Sequence, residues 1–233
     1  MFLFAAFSLI FLSVTCSASS NQAKIDAYID AIVDDAYKQI VDAKLERYPL
    51  QTSSFKIAST GISNRDVKVN VTRGHFEALR SIGRRTPCNV TLPQAFKGRK
   101  DLAPPSNITI SCNVTLAGVR AVVLNGTFKG DTLSGSAKNF STSTIVETAN
   151  MNVTFVGRPG LKGHLSLTVL RRIVLSTSFQ NPKQKPDLNK ERFMHFIEEL
   201  NKKLATQLFT FAEGPYKKYL NIATARKVLP YLV

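Results

Sequence analysis

The spacing of apolar residues along this chain changes twice, from a helical period to a strand period and back. Between residues 22 and about 47, Ile25, Tyr28, Ile29, Ile32, Val33, Ala36, Tyr37, Ile40, Val41 and Leu45 recur three and four apart. Asp26, Asp30, Asp34, Asp35, Lys38, Asp42 and Lys44 fill most of the gaps. This predicts a one-sided amphipathic helix of about 39 Å, opened by a capping box at Ser19 and Gln22 and stopped by Pro49. From about residue 54 to 179 the period falls to two. Val67, Val69 and Val71 alternate with Lys68 and Asn70, and Ile108, Ile110, Cys112, Val114 and Leu116 alternate with polar residues. Val153 with Phe155, and Leu165, Leu167 and Val169, repeat the pattern. These are antiparallel strands with one wet and one apolar face, and Asn125-Gly126 predicts a hairpin turn among them.

After a loop from Asn181-Pro182 to Pro186 the helical period returns. Asp187 or Asn189 caps a helix over about 188–213 that carries Phe193, Phe196, Ile197, Leu200, Leu204, Leu208, Phe209 and Phe211. Gly214-Pro215 predicts its end, with a short last helix over about 215–229. Two apolar helix stripes and a sheet with one apolar face have to cover one another. The expected fold is therefore α+β, a strongly curved antiparallel sheet wrapped around two long helices, in one domain over residues 19–233.

Residues 1–18 stand outside that scheme. They carry no charged side chain, and an apolar run of about eleven residues gives way to Thr15, Cys16, Ser17 and Ala18. Such a run matches a signal-peptide core and is shorter than the roughly 17–25 residues that span a bilayer. Cleavage is expected after Ala18, with Ser20 as the second choice, leaving a secreted, extracellular chain without a transmembrane segment. Cys88 and Cys112 then remain, and an oxidising compartment favours a disulfide between them, a free buried pair being the alternative. A bridge over this interval stabilises the fold by roughly 3 kcal/mol through the unfolded chain.

Export gives meaning to seven N-glycosylation sequons, at Asn70, Asn89, Asn107, Asn113, Asn125, Asn139 and Asn152. Asn70, Asn107, Asn113 and Asn152 fall on the polar phase of their strands. A bulky glycan has to face solvent, so the opposite phase is the covered one.

The formal net charge is +15. Residues 49–182 hold 17 basic and 5 acidic side chains, so the excess lies on the sheet. Such a field favours anionic partners, with Arg84, Arg85, Arg99 and Lys100 as the candidate contacts for anionic lipid or glycosaminoglycan surfaces; a plain solvated surface is the alternative. Export and the lack of any recognition motif argue against nucleic acid. His75, His164 and His195 have no metal-ligand or triad spacing, and no phosphate-cradling loop or nucleophile elbow is present, so no cofactor, metal or catalytic activity is expected.

The order of helix, strand meander, helix and short helix, with the opening stretch Lys24-Ile25-Asp26-Ala27-Tyr28-Ile29-Asp30-Ala31-Ile32-Val33-Asp34-Asp35-Ala36, resembles the mite group 7 allergens. That family is similar to half of a bactericidal/permeability-increasing protein and to the lipid-transfer, juvenile-hormone-binding and takeout-like proteins. The resemblance implies an elongated apolar groove for a lipid-like ligand. Ile29, Ile32, Val33, Ile40, Phe193, Ile197, Leu200, Leu204 and Leu208 are the expected ligand contacts, and a filled core without a cavity is the alternative for the same residues.

Overall fold

No proline or glycine interrupts the chain before Pro49, and helix α1 (Leu3–Asp42) runs unbroken through the junction where a cap at Ser19 was expected. No helix therefore begins at Ser19, because nothing in the sequence stops the helix there. The structure, a computed structural model, describes residues 3–60, 65–91, 107–131 and 135–231. The helix ends earlier than the expected residue 47. Lys44 adopts φ 57°, the amide of Leu45 donates to the carbonyl of Ile40, and that of Lys44 donates to Val41. This is a Schellman termination with lysine where glycine is usual. Ile25, Tyr28, Ile29, Ile32, Val33, Ala36 and Ile40 form its buried stripe.

Among the described residues nine strands make one fully antiparallel sheet. They are β1 (Tyr48–Pro49), β2 (Ser53–Ile57), β3 (Val67–Glu77), β4 (Gly83–Arg84), β5 (Asn89–Thr91), β6 (Ile108–Thr115), β7 (Arg120–Lys129), β8 (Lys138–Gly157) and β9 (His164–Phe179). The 20-residue β8 is the spine. One side pairs with β9 over nearly its whole length, while the other pairs with β7 and then β6, laid end to end. β3 extends the β7 half and carries β1 and β2; β4 and β5 extend the β6 half.

The predicted alternation holds within each half and changes phase between them. In β8 the buried residues are Phe140, Thr142, Thr144 and Val146, and then Ala149, Met151, Val153, Phe155 and Gly157. A register shift at residues 146–150 makes the change, opposite Arg172 of β9 with φ 33°. A second irregularity crosses β3 at residues 71–74 and β7 at residues 123–126. Each extra residue bends its strand and increases twist, and these bulges curl the sheet. Asn125-Gly126 is therefore not a hairpin turn but part of the β7 bulge.

Asn189 caps α2 (Lys190–Phe211), its side chain accepting from the amide of Arg192. Pro215 does not end the helical run, contrary to expectation. A five-residue π segment (Ala212–Tyr216) absorbs the missing proline N–H and continues into α3 (Lys217–Arg226). The helix against which α1 packs is α3, and α1 also reaches β4; α2 lies across β2 and β9. Both helix stripes and the inner face of the sheet belong to one hydrophobic core.

Candidate functional site

Helical spacing puts Arg192, Phe196, Leu200, Leu204 and Leu208 on one inward line of α2, and all five are buried. The first turns of that line meet a set of rings from four strands. Phe196 lies 5.6 Å from Phe55, 5.7 Å from Phe140, 6.1 Å from Phe179 and 6.4 Å from Phe193, centroid to centroid. Phe128 backs Phe140 at 6.0 Å. Phe140 and Phe196 are fully enclosed, whereas Phe55, Phe179, Phe193 and Ile197 are half-buried, so this end of the interior approaches solvent. The exposed Lys185 places its Nζ 3.9 Å from the centre of the Phe193 ring, a cation on the rim of an aromatic patch.

Of the nine expected ligand contacts, Phe193 and Ile197 stand in this half-open region. Leu200, Leu204 and Leu208 continue the same line deeper into the core. Ile29, Ile32, Val33 and Ile40 belong to α1, which packs on α3, so the structure does not gather all nine at one place. Two concavities among the described residues lie elsewhere. One of about 590 Å³ is bounded by the end of α1 and the turn after β3, including Tyr37, Arg47, Glu77 and Arg80. Another of about 540 Å³ lies beside β2 and β3, including Ser54, Thr72 and Lys203. None of the nine residues lines either one.

The interior also contains polar groups that the sequence pattern did not flag. The hydroxyls of Tyr28, Tyr216 and Thr142, and Nε of Arg192, are buried without a hydrogen-bond partner. Burial pushes the Tyr28 hydroxyl up to about 12 and raises that of Tyr216 further, so both remain protonated donors. Thr144 and Thr177 share a hydrogen bond, and Thr177 donates to Asn201 of α2, which shows how a polar pair is satisfied inside the same sheet. A signal was present in the sequence, since Arg192 falls four residues before Phe196 on the apolar line.

The charged candidates separate. Arg84 makes two hydrogen bonds to Asp30 and a 3.1 Å ion pair to Asp26, so its charge joins β4 to α1. Asp30 holds the guanidinium all the more firmly in its charged form. Arg85 is exposed and donates to Asn150, whose strand neighbour is the exposed Arg171. Arg99 and Lys100 lie outside the described residues. His75 hydrogen-bonds Glu77, and His195 is exposed on α2.

Cys88 and Cys112 are bonded, with their Cα atoms 4.5 Å apart, and both are buried. Six of the sequon asparagines are exposed, and Asn152 is half-buried. They share the outer face of the sheet or its loops. Asn113 pairs directly with Asn152, while Thr127 stands between Asn70 and Asn139 on neighbouring strands. No helix among the described residues is long and apolar enough to cross a membrane.

No family model matches the chain, and no curated protein sequence does. Among solved structures it is similar to Takeout 1 of Epiphyas postvittana, at 12% identity and a TM-score of 0.31, over 92% of this chain and 93% of that one. It is also similar to a lipopolysaccharide binding protein, at 12% identity and a TM-score of 0.36 over 83% of this chain, which spans 40% of that protein's length.

Proposed function

We propose that the chain is an exported, N-glycosylated, non-catalytic binding protein for a hydrophobic or amphipathic lipid-like ligand. In this reading it is a relative of the mite group 7, takeout-like and bactericidal/permeability-increasing proteins. The observation that supports ligand binding is the half-buried aromatic region between the first turns of α2 and the sheet, where Phe55, Phe179, Phe193 and Ile197 join an otherwise enclosed core. Apolar surface at an open end of a core is where an apolar molecule gains most by leaving water. Phe193 and Ile197 meet the ligand, and Leu200, Leu204 and Leu208 form the wall behind them; Ile29, Ile32, Val33 and Ile40 hold the opposite end of the interior. Signal cleavage after Ala18 and glycans at the seven sequons belong to the same reading, which the exposure of six of the seven sequon asparagines supports. Native mass spectrometry before and after delipidation, with fatty acids, phospholipids and isoprenoids offered back, tests it. A retained or rebound ligand is expected, and none under any condition overturns the reading.

A second reading rests on the outer face. Arg85, Arg171 and Arg172 are exposed together near the β8 bulge and suit a sulfated glycan or anionic lipid surface. Retention on heparin that falls to lower salt in an Arg85→Ala, Arg171→Ala, Arg172→Ala variant supports it; unchanged elution refutes it.

A further inference from the structure

An arginine at the head of an otherwise apolar helix line is out of place unless something answers its charge. The Arg192 side chain is on the line of Phe196, Leu200, Leu204 and Leu208, and the residue is only 5% exposed. Its guanidinium donates through one terminal nitrogen to the carbonyl of Arg65, and its Nε is buried with no acceptor. Among the described residues no carboxylate forms an ion pair with it. A guanidinium carries a positive charge and five N–H donors in a planar fork. Burying a charge without a counter-charge is strongly unfavourable.

We propose that Arg192 anchors the anionic head, carboxylate or phosphate, of a single-chain amphiphile whose tail lies among the phenylalanines at this end of the interior. The proposal rests on the ligand-binding reading above and adds the chemical class of ligand and its polarity. Three features favour an anionic head at this end of α2. The planar fork of Arg192, with Nε unpartnered, suits the oxygens of a carboxylate or phosphate. Arg192 lies in the first turn of the 22-residue α2, where the helix dipole favours negative charge. Lys185 adds a second cation at the rim, against the Phe193 ring. The tail position follows from Phe193, the next residue, and Phe196, one turn along, which lead to Phe179 and Phe55.

The test uses the delipidated full chain and titrates it with dodecanoate, methyl dodecanoate and dodecyl phosphate, and with acetate and inorganic phosphate as heads without tails. Dodecanoate or dodecyl phosphate is expected to bind roughly 10- to 100-fold more tightly than the methyl ester, the worth of one charge-assisted contact. Whichever of the two anions binds more tightly identifies the head. Arg192→Met is expected to bring the ratio of anion to methyl ester affinity below about threefold. Arg192→Lys, which keeps the charge and loses the fork, is expected to lie between. Far-UV circular dichroism verifies folding, and the lysine variant carries the test if the methionine variant does not fold. Equal binding of acid and ester by the unaltered protein overturns the proposal and leaves the ligand-binding reading standing, as does a preference that survives both variants. Acetate binding as tightly as dodecanoate overturns it as well, showing an ion site without a tail. Failure of every long-chain compound to bind overturns both.

Discussion

Gly126 offers a sharp test of how the curled sheet is packed. It sits in the β7 bulge, and a Cβ built there falls 2.3 Å from Cζ, 2.4 Å from Cε1 and 2.7 Å from Cε2 of Phe140. No flexible chain end can move aside, because the obstacle is a ring that is 1% exposed and held by Phe128, Phe179 and Phe196 at 5.7–6.1 Å. The Gly126 backbone lies outside the left-handed region, so alanine meets a steric barrier alone. Overpacking of this kind costs about 1–3 kcal/mol. In a chain of 233 residues, at about 2–4 °C per kcal/mol, Gly126→Ala lowers Tm by roughly 2–12 °C. The substitution changes only the middle residue of the sequon formed by Asn125 and Thr127, and alanine is permitted there, so any glycan at Asn125 is kept and does not confound the result. Urea unfolding followed by far-UV circular dichroism suits a protein without tryptophan. Phe140→Leu destabilises by itself, yet it removes part of the ring that alanine strikes. The double variant is therefore expected to lose at least about 1 kcal/mol less than the sum of the two single changes. Stability of Gly126→Ala within about 0.5 kcal/mol of the parent, or an additive cycle, refutes this packing.

Two further outcomes follow from local geometry. Replacing both Cys88 and Cys112 by serine lowers stability by about 3 kcal/mol, measured by the same urea titration, and added reductant then has no further effect. Lys44→Gly relieves a left-handed lysine at the α1 terminus and raises stability by roughly 1 kcal/mol; a lower Tm refutes the Schellman assignment.

The periods of the sequence carried the element types well, because burial on one face leaves a direct trace in residue order. Ile25 to Ile40 and Phe196 to Leu208 read as helix stripes, and Val67 to Val71 as a half-buried strand, without tertiary help. The outward phase of the sequons was legible for the same reason. The stretch from Ser141 to Thr148 was harder to read, since Thr142 and Thr144 point inward and a bulge reverses the phase after Val146. Alternation reports a face only while the register is constant, and a bulge changes the register without a unique residue signature. Pro215 misled for a related reason: a proline usually stops a helix, but a π turn accommodated it within a packed segment.

By itself the sequence determined the α+β class, the inward and outward faces of the strands where the register is constant, Cys88 and Cys112 as candidates to pair, and the basic excess of the sheet region. Periodicity, charge and thiol count are properties of residue order and composition. Only the tertiary structure decided that α1 packs on α3, that Arg84 is neutralised by Asp26 and Asp30, and that Arg192 lies buried at the head of an aromatic cluster. Those facts depend on which distant segments meet, and the meeting is set by two lines of bulges that curl the sheet, a displacement of one residue at a time that no spacing of apolar positions encodes.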